Sequence, residues 1–97
     1  MNYIKVRWIH DDQNEPILLY SELDSDRWEV RKVEIFADGR IGHAGERGSV
    51  GDSGLSETPI PVLEKIALDP QFQPVEITKE EFEKVWIKRD SKGSISN

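Results

Sequence analysis

The sequence predicts an α+β fold: an antiparallel sheet of about four strands, followed by two C-terminal helices that pack on one face of it. Apolar and polar residues alternate through the first half of the chain, which is typical of strands. Two later segments carry helical apolar spacing, and an order of strands followed by helices is typical of this class. A chain of 97 residues fits one domain. We expect it to span residues 1–90, with residues 91–97 as a flexible tail.

The first two predicted strands cover residues 3–10 and 17–23. Side chains of the first strand alternate between two faces, whereas the second opens with an apolar run that suits a central position in a sheet. The polar segment 11–16 separates them, and Pro16 restricts the conformation of the residue before it. The Asp24-Ser25-Asp26 cluster predicts a turn after the second strand.

The third predicted strand, residues 27–36, changes phase along its length. Its apolar side chains alternate in one phase up to Val30 and in the opposite phase from Val33 onward. We therefore expect a bulge near Arg31 and Lys32, because one extra residue reverses the side-chain register.

A tight turn and a loop follow the third strand. Asp38-Gly39 predicts a hairpin that leads into a short fourth strand at residues 41–44. Residues 45–57 are polar and rich in glycine, which predicts a surface loop. They lack the Gly-Lys-Ser/Thr ending of a phosphate-binding loop, so we expect no nucleotide site there.

Two helices complete the predicted fold. Pro59 and Pro61 precede a short helix over residues 62–68, since proline is tolerated in a first helical turn. After a connector, Thr78 and Glu81 have the spacing of a capping box, which predicts a second helix that runs to about Arg89.

Composition excludes several classes of protein. The chain has no cysteine, which rules out disulfide scaffolds, thiolate zinc sites and cysteine nucleophiles. Its charged start does not resemble a signal peptide, and no apolar run is long enough to span a membrane, so we expect a cytoplasmic protein. The net charge of −6 argues against nucleic-acid binding.

One cluster of possible metal ligands stands out, formed by His10, Asp11, Asp12 and Glu15. These residue types bind metal ions or transfer protons, so a small metal-dependent enzyme is one alternative function. No second cluster completes a coordination sphere, and no serine lies in a nucleophile context. We expect no enzyme activity and no cofactor.

The distribution of charge favours a binding function instead. Residues 10–26 contain six acidic residues and no lysine or arginine. Such a segment is either a solvated surface or a docking surface for a basic protein, to which opposite charge gives fast association. The candidate partner-binding residues are the acids together with two aromatic anchors: Asp11, Asp12, Glu15, Tyr20, Glu22, Asp24, Asp26 and Trp28.

Several segments resemble a family of small bacterial proteins that is a domain family of unknown function. They include Tyr3-Ile4-Lys5-Val6-Arg7-Trp8, His10-Asp11-Asp12, Glu15-Pro16, Leu19-Tyr20-Ser21-Glu22-Leu23, Asp26-Arg27-Trp28-Glu29-Val30-Arg31-Lys32-Val33-Glu34, Asp38-Gly39, Pro59-Ile60-Pro61 and Glu80-Glu81-Phe82-Glu83-Lys84-Val85-Trp86. The resemblance covers about residues 3–89 and implies a single-domain cytoplasmic protein without established catalytic residues.

In size, charge and architecture the chain also resembles bacterial immunity proteins, which neutralise toxin domains, for example those of contact-dependent growth inhibition. The resulting expectation is an acidic immunity protein, monomeric or weakly dimeric, that blocks the active site of a basic toxin, with a nuclease as the expected class. A housekeeping adaptor or oligomerisation domain is the third alternative.

Overall fold

A computed structural model describes residues 1–45, 48–50 and 53–89 of the chain. One antiparallel sheet has the strand order β5-β4-β3-β2-β1-β6. The strands are β1 (Asn2–Trp8), β2 (Leu18–Leu23), β3 (Glu29–Ile35), β4 (Ile41–Gly45), β5 (Gly48–Val50) and β6 (Phe72–Ile77), and the helices are α1 (Leu63–Ile66) and α2 (Lys79–Lys88). The predicted α+β class is confirmed, while the predicted tail lies outside the described residues.

Within the described residues the sheet has six strands, rather than the predicted four or so. Gly48–Val50, within the predicted surface loop, pairs with β4. The predicted connector after α1 is β6, which pairs with β1 from Tyr3 opposite Ile77 to Trp8 opposite Phe72. The apolar alternation of β6 is interrupted by Pro74, which has no N–H to donate but is tolerated on an edge strand.

The register of β3 explains its change of phase. Glu22 faces Arg31, whereas Leu23 faces Glu29, so Val30 is an extra residue on β3. The expected bulge is therefore present, slightly earlier along the strand than Arg31 and Lys32. As a result, Arg31 lies on the same face of the sheet as Glu22, and this pairing decides the environment of both side chains.

The two helices pack on opposite faces of the sheet, and the expectation that they share one face is wrong. On the first face, called the α2 face, Phe82 packs with Tyr3 and Ile77. On the second, called the α1 face, the apolar side chains of α1 pack against the core cluster of Ile4, Val6 and Leu23. Both faces of β1 carry apolar side chains, so a separate helix is needed to shield each face from water.

The best-specified helix of the sequence is found where it was expected. The Thr78 side chain accepts a hydrogen bond from the Glu81 N–H, and the Glu81 carboxylate accepts one from the Thr78 N–H, both at 3.1 Å.

Within the described ranges, no helix has the length and apolar character needed to cross a membrane.

Candidate functional site

The acidic residues of segment 10–26 are distributed over both ends of β2. Asp11, Asp12 and Glu15 are exposed in the loop between β1 and β2. Asp24 and Asp26 lie in the turn between β2 and β3, at the other end of the strand. Six residues of extended chain separate the two groups by roughly 20 Å. The structure therefore does not bring the predicted acids together in one cluster.

Glu22 and Tyr20 lie between these groups, on the α2 face. Glu22 is buried, and its carboxylate accepts hydrogen bonds from the Tyr3 hydroxyl, at 2.9 Å, and from the Arg31 guanidinium. Tyr20 is half-buried, with the Lys5 ammonium 5.8 Å from its ring centroid. Glu22 therefore forms an internal ion pair with Arg31. Its charge does not face a partner, whereas the sequence analysis predicted Glu22 as a partner-binding residue.

Arg31 ties α2 to the sheet. Its Nη2 atom lies 2.7 Å from the Glu83 Oε2 atom, and its guanidinium carbon lies 4.9 Å from the ring centroids of both Phe82 and Trp86. The hydrogen bond with Arg31 lowers the pKa of Glu22, and the same bond raises the pKa of Arg31. Burial, with the hydrogen bond to Glu22, raises the pKa of Tyr3. The cluster therefore links α2 to strands β1, β2 and β3.

His10 uses both ring nitrogens to shape its own loop. Its Nδ1 atom accepts a hydrogen bond from the Asp12 N–H at 3.0 Å, so Nε2 carries the proton and donates to the Pro16 carbonyl at 2.7 Å. Among the residues that the structure describes, no three His, Cys, Asp or Glu side chains lie close enough to hold a metal ion.

The turn between β2 and β3 is ordered by Asp24. Its Oδ1 atom accepts hydrogen bonds from the N–H groups of Asp26 and Trp28, each at 2.9 Å, and its own N–H donates to the Trp28 carbonyl at 3.0 Å. Trp28 remains 43% exposed and Asp26 is exposed. The turn therefore presents a large aromatic side chain beside carboxylates on a backbone that is fixed before any partner binds.

Arg27 connects this turn to the segment before α1. Its Nε and Nη2 atoms donate to the carbonyls of Ile60 and Pro61, each at 2.7 Å, and the Ile60 N–H donates to the Arg27 carbonyl at 2.8 Å. Arg27 adopts a φ of 67°, the left-handed region that residues with a Cβ atom rarely occupy. The backbone strain is offset by the contacts of the side chain.

Two substitutions of Arg27 separate the contribution of its side-chain hydrogen bonds from the cost of its backbone strain. We expect Arg27→Ala to lower the free energy of unfolding by about 2 kcal/mol, because both side-chain hydrogen bonds are lost and the strain remains. Arg27→Gly loses the same bonds but relieves the strain, so its loss is expected to be about 1 kcal/mol smaller. Urea denaturation of both variants measures the difference, and equal losses would show that the backbone at this position is not strained.

An open groove on the α1 face is a feature that the sequence analysis missed. Its volume is about 450 Å³. The floor is formed by Ile4, Val6 and Leu19 of β1 and β2, and one wall by Ile66 and Phe72. The lining residues come from β1, β2, β3, α1, β6 and the segments on either side of α1, and only the packing of these elements brings them together.

The opposite wall of the groove is polar. Glu29, whose side chain is 3% exposed, accepts hydrogen bonds from the Ser21 hydroxyl at 2.6 Å and the Ser56 N–H at 2.9 Å. Lys32 Nζ donates to the Gly54 carbonyl at 2.8 Å and lies 3.6 Å from oxygens of both Glu29 and Glu34. One signal existed in the sequence, since Ser21 is a polar residue in phase with the apolar residues Leu19 and Leu23 of its own strand.

Comparison with known proteins places the chain in a family. No curated protein and no solved structure matches it. Residues 2–91 match the model of a family described as Domain of unknown function (DUF6881). This match agrees with the resemblance carried by residues 3–89, and it covers nearly all of the chain. The protein is therefore a member of the DUF6881 family.

Proposed function

We propose that the protein is a binding protein that docks a basic protein partner through the turn formed by residues 24–28. The observation that carries this proposal is Trp28, which is 43% exposed on a turn that Asp24 holds in place. Exposed tryptophan is a common energetic centre of protein interfaces, and carboxylates around it speed the approach of a basic surface. A turn that is ordered in advance loses little conformational entropy on binding.

The class of partner follows from charge. With a net charge of −6, the protein attracts basic surfaces at long range. A toxin whose active site binds phosphate groups presents such a surface, and a nuclease is the main example. We therefore propose the role of a cytoplasmic immunity protein, in which the partner carries the chemistry and this chain blocks access to it.

The two alternative functions draw less support from the geometry. A metal-dependent enzyme built on His10 would need ring nitrogens that already bond within the loop. An oligomerisation domain would pair through an edge strand. Of the two described edge strands, β6 contains Pro74 and Glu76, and both residue types oppose pairing between edges. A monomer or weak dimer is the proposed state.

The test begins with capture of partners by the tagged protein from its native host, followed by purification of a basic partner that binds with fixed stoichiometry. Association rates are then measured with Trp28→Ala and Asp26→Lys, which leave the hydrogen bonds of Asp24 in place. Asp11→Lys serves as the matched control, since it changes the charge equally at the other end of β2.

We expect Asp26→Lys to slow association about tenfold at low salt, and Trp28→Ala to speed dissociation by a similar factor or more. Asp11→Lys should have a much smaller effect on both rates. Capture of no basic partner, or equal effects of Asp26→Lys and Asp11→Lys, would contradict docking through the turn.

A further inference from the structure

The groove on the α1 face has the size and lining of a site for a small molecule. Its volume of about 450 Å³ falls within the range of roughly 300–1,000 Å³ that is usual for ligand pockets. Leu19, Ile66 and Phe72 pack against the core cluster but remain half-buried, so part of their apolar surface faces the groove. An apolar body placed there would remove this surface from water.

The polar wall determines which head group the groove accepts. Among the described residues, the ammonium of Lys32 lies 3.6 Å from two carboxylates: Glu29, which lines the groove, and Glu34, which lies behind Lys32 and outside the lining. The cluster therefore carries an excess negative charge in a place that is largely shielded from water. A ligand with an anionic head is repelled by that excess, whereas a cationic head is attracted.

The hydrogen-bonding capacity of Glu29 leads to the same assignment. Among the residues that the structure describes, its Oε2 atom accepts one hydrogen bond, from the Ser21 hydroxyl, while a carboxylate oxygen has about two acceptor positions. An N–H group that enters the groove can occupy the second position. At the mouth, Lys65 and Asp69 contribute one charge of each sign and leave the balance unchanged.

We propose that the groove binds a small organic cation whose apolar body lies on Ile4, Val6 and Leu19 and whose ammonium group approaches Glu29. This site lies on the α1 face and does not depend on the partner proposed for residues 24–28. Primary amines with an aliphatic chain are the ligand class with this chemistry.

The test compares three probes that share one chain and differ in the head group: hexylammonium, hexanol and hexanoate. Titration of the ¹⁵N-labelled protein, followed by amide chemical shifts, measures affinity and location together. We expect hexylammonium to bind at least tenfold more tightly than either other probe, with the shifts concentrated on β1, β2 and α1. Equal binding of hexanol, tighter binding of hexanoate, or no binding of hexylammonium would each overturn the proposal.

Two variants test the charge argument, with one control. Glu29→Gln is expected to weaken hexylammonium binding about tenfold, the effect of one charge-assisted hydrogen bond. Lys65→Glu, at an exposed position on the mouth, is expected to tighten binding about threefold and keeps the proposal testable if Glu29→Gln fails to fold. Asp38→Asn, in an exposed turn outside the groove, should change nothing. Weaker binding by Lys65→Glu would contradict recognition of a cation.

Discussion

Replacing Arg31 with methionine is expected to lower the free energy of unfolding by about 3 kcal/mol, because it leaves a buried carboxylate without its counter-ion. The Glu22 side chain is 8% exposed, and among the described residues only Tyr3 still donates a hydrogen bond to it after the substitution. Contacts of the guanidinium with the rings of Phe82 and Trp86 are lost at the same time. Urea denaturation at pH 7 measures the loss.

The pH dependence of stability distinguishes the ion pair from simple packing. In the wild type, Arg31 holds the pKa of Glu22 below its ordinary value of 4.5. The pair therefore stabilises the fold above about pH 4.5, and this contribution is lost as the pH falls further. In Arg31→Met, burial without a counter-ion should raise the pKa of Glu22 instead, so acidification from pH 7 to pH 5 should increase stability.

A double variant provides the control for this prediction. Glu22→Gln removes the buried charge, so Arg31→Met combined with Glu22→Gln should be more stable than Arg31→Met alone at pH 7. Two results together would show that Arg31 contributes through packing only: the stability losses of Arg31→Met and Glu22→Gln add in the double variant, and the pH dependence of stability in Arg31→Met equals that of the wild type.

Phe82→Ala is the second large effect that we expect, a loss of about 3–5 kcal/mol in the free energy of unfolding. The ring is completely buried, and it packs 5.5 Å from the Tyr3 ring and 6.2 Å from the Trp86 ring, measured between centroids. Its removal leaves a cavity between α2 and the sheet. Calorimetry measures the loss, and amide hydrogen exchange of α2 shows whether the helix detaches.

Ile87→Ala, on the same helix, is the matched control for Phe82→Ala. Ile87 is 73% exposed, so its substitution should change stability by no more than about 0.5 kcal/mol. If both variants lowered the free energy of unfolding by a similar amount, the contact of Phe82 with the sheet would not be what stabilises α2, and the intrinsic helical propensity of the segment would account for the helix.

Features that depend on neighbouring residues were predictable from the sequence. The capping box of Thr78 and Glu81 is a local pattern, and the structure contains it. The phase change between Val30 and Val33 likewise predicted the bulge. By contrast, the connector that became β6 carries Pro74 and only weak alternation, and its pairing with β1 depends on residues at the other end of the chain. The faces occupied by the helices depend on that pairing as well.

The candidate sites were harder to predict for the same reason. Glu22 and Asp24 are two positions apart in one acidic segment, yet Glu22 is buried against Arg31 while Asp24 caps an exposed turn. A count of charges along the chain does not distinguish them, because the difference is set by the register of β2 and β3. The same register of β2 and β3 places the carboxylate of Glu29 in the lining of the groove.

The position of β6 has a consequence for the order of events in folding. Strands β1 to β5 each pair with their neighbours in sequence, so these hairpins form by short-range loop closure. Among the described strands, only β6 pairs with a strand far from it in sequence, and β6 is flanked by the helices that cover the two faces of the sheet. We therefore expect the five-strand meander to be unstable alone, and the rate-limiting step to be the closure that joins β6 to β1.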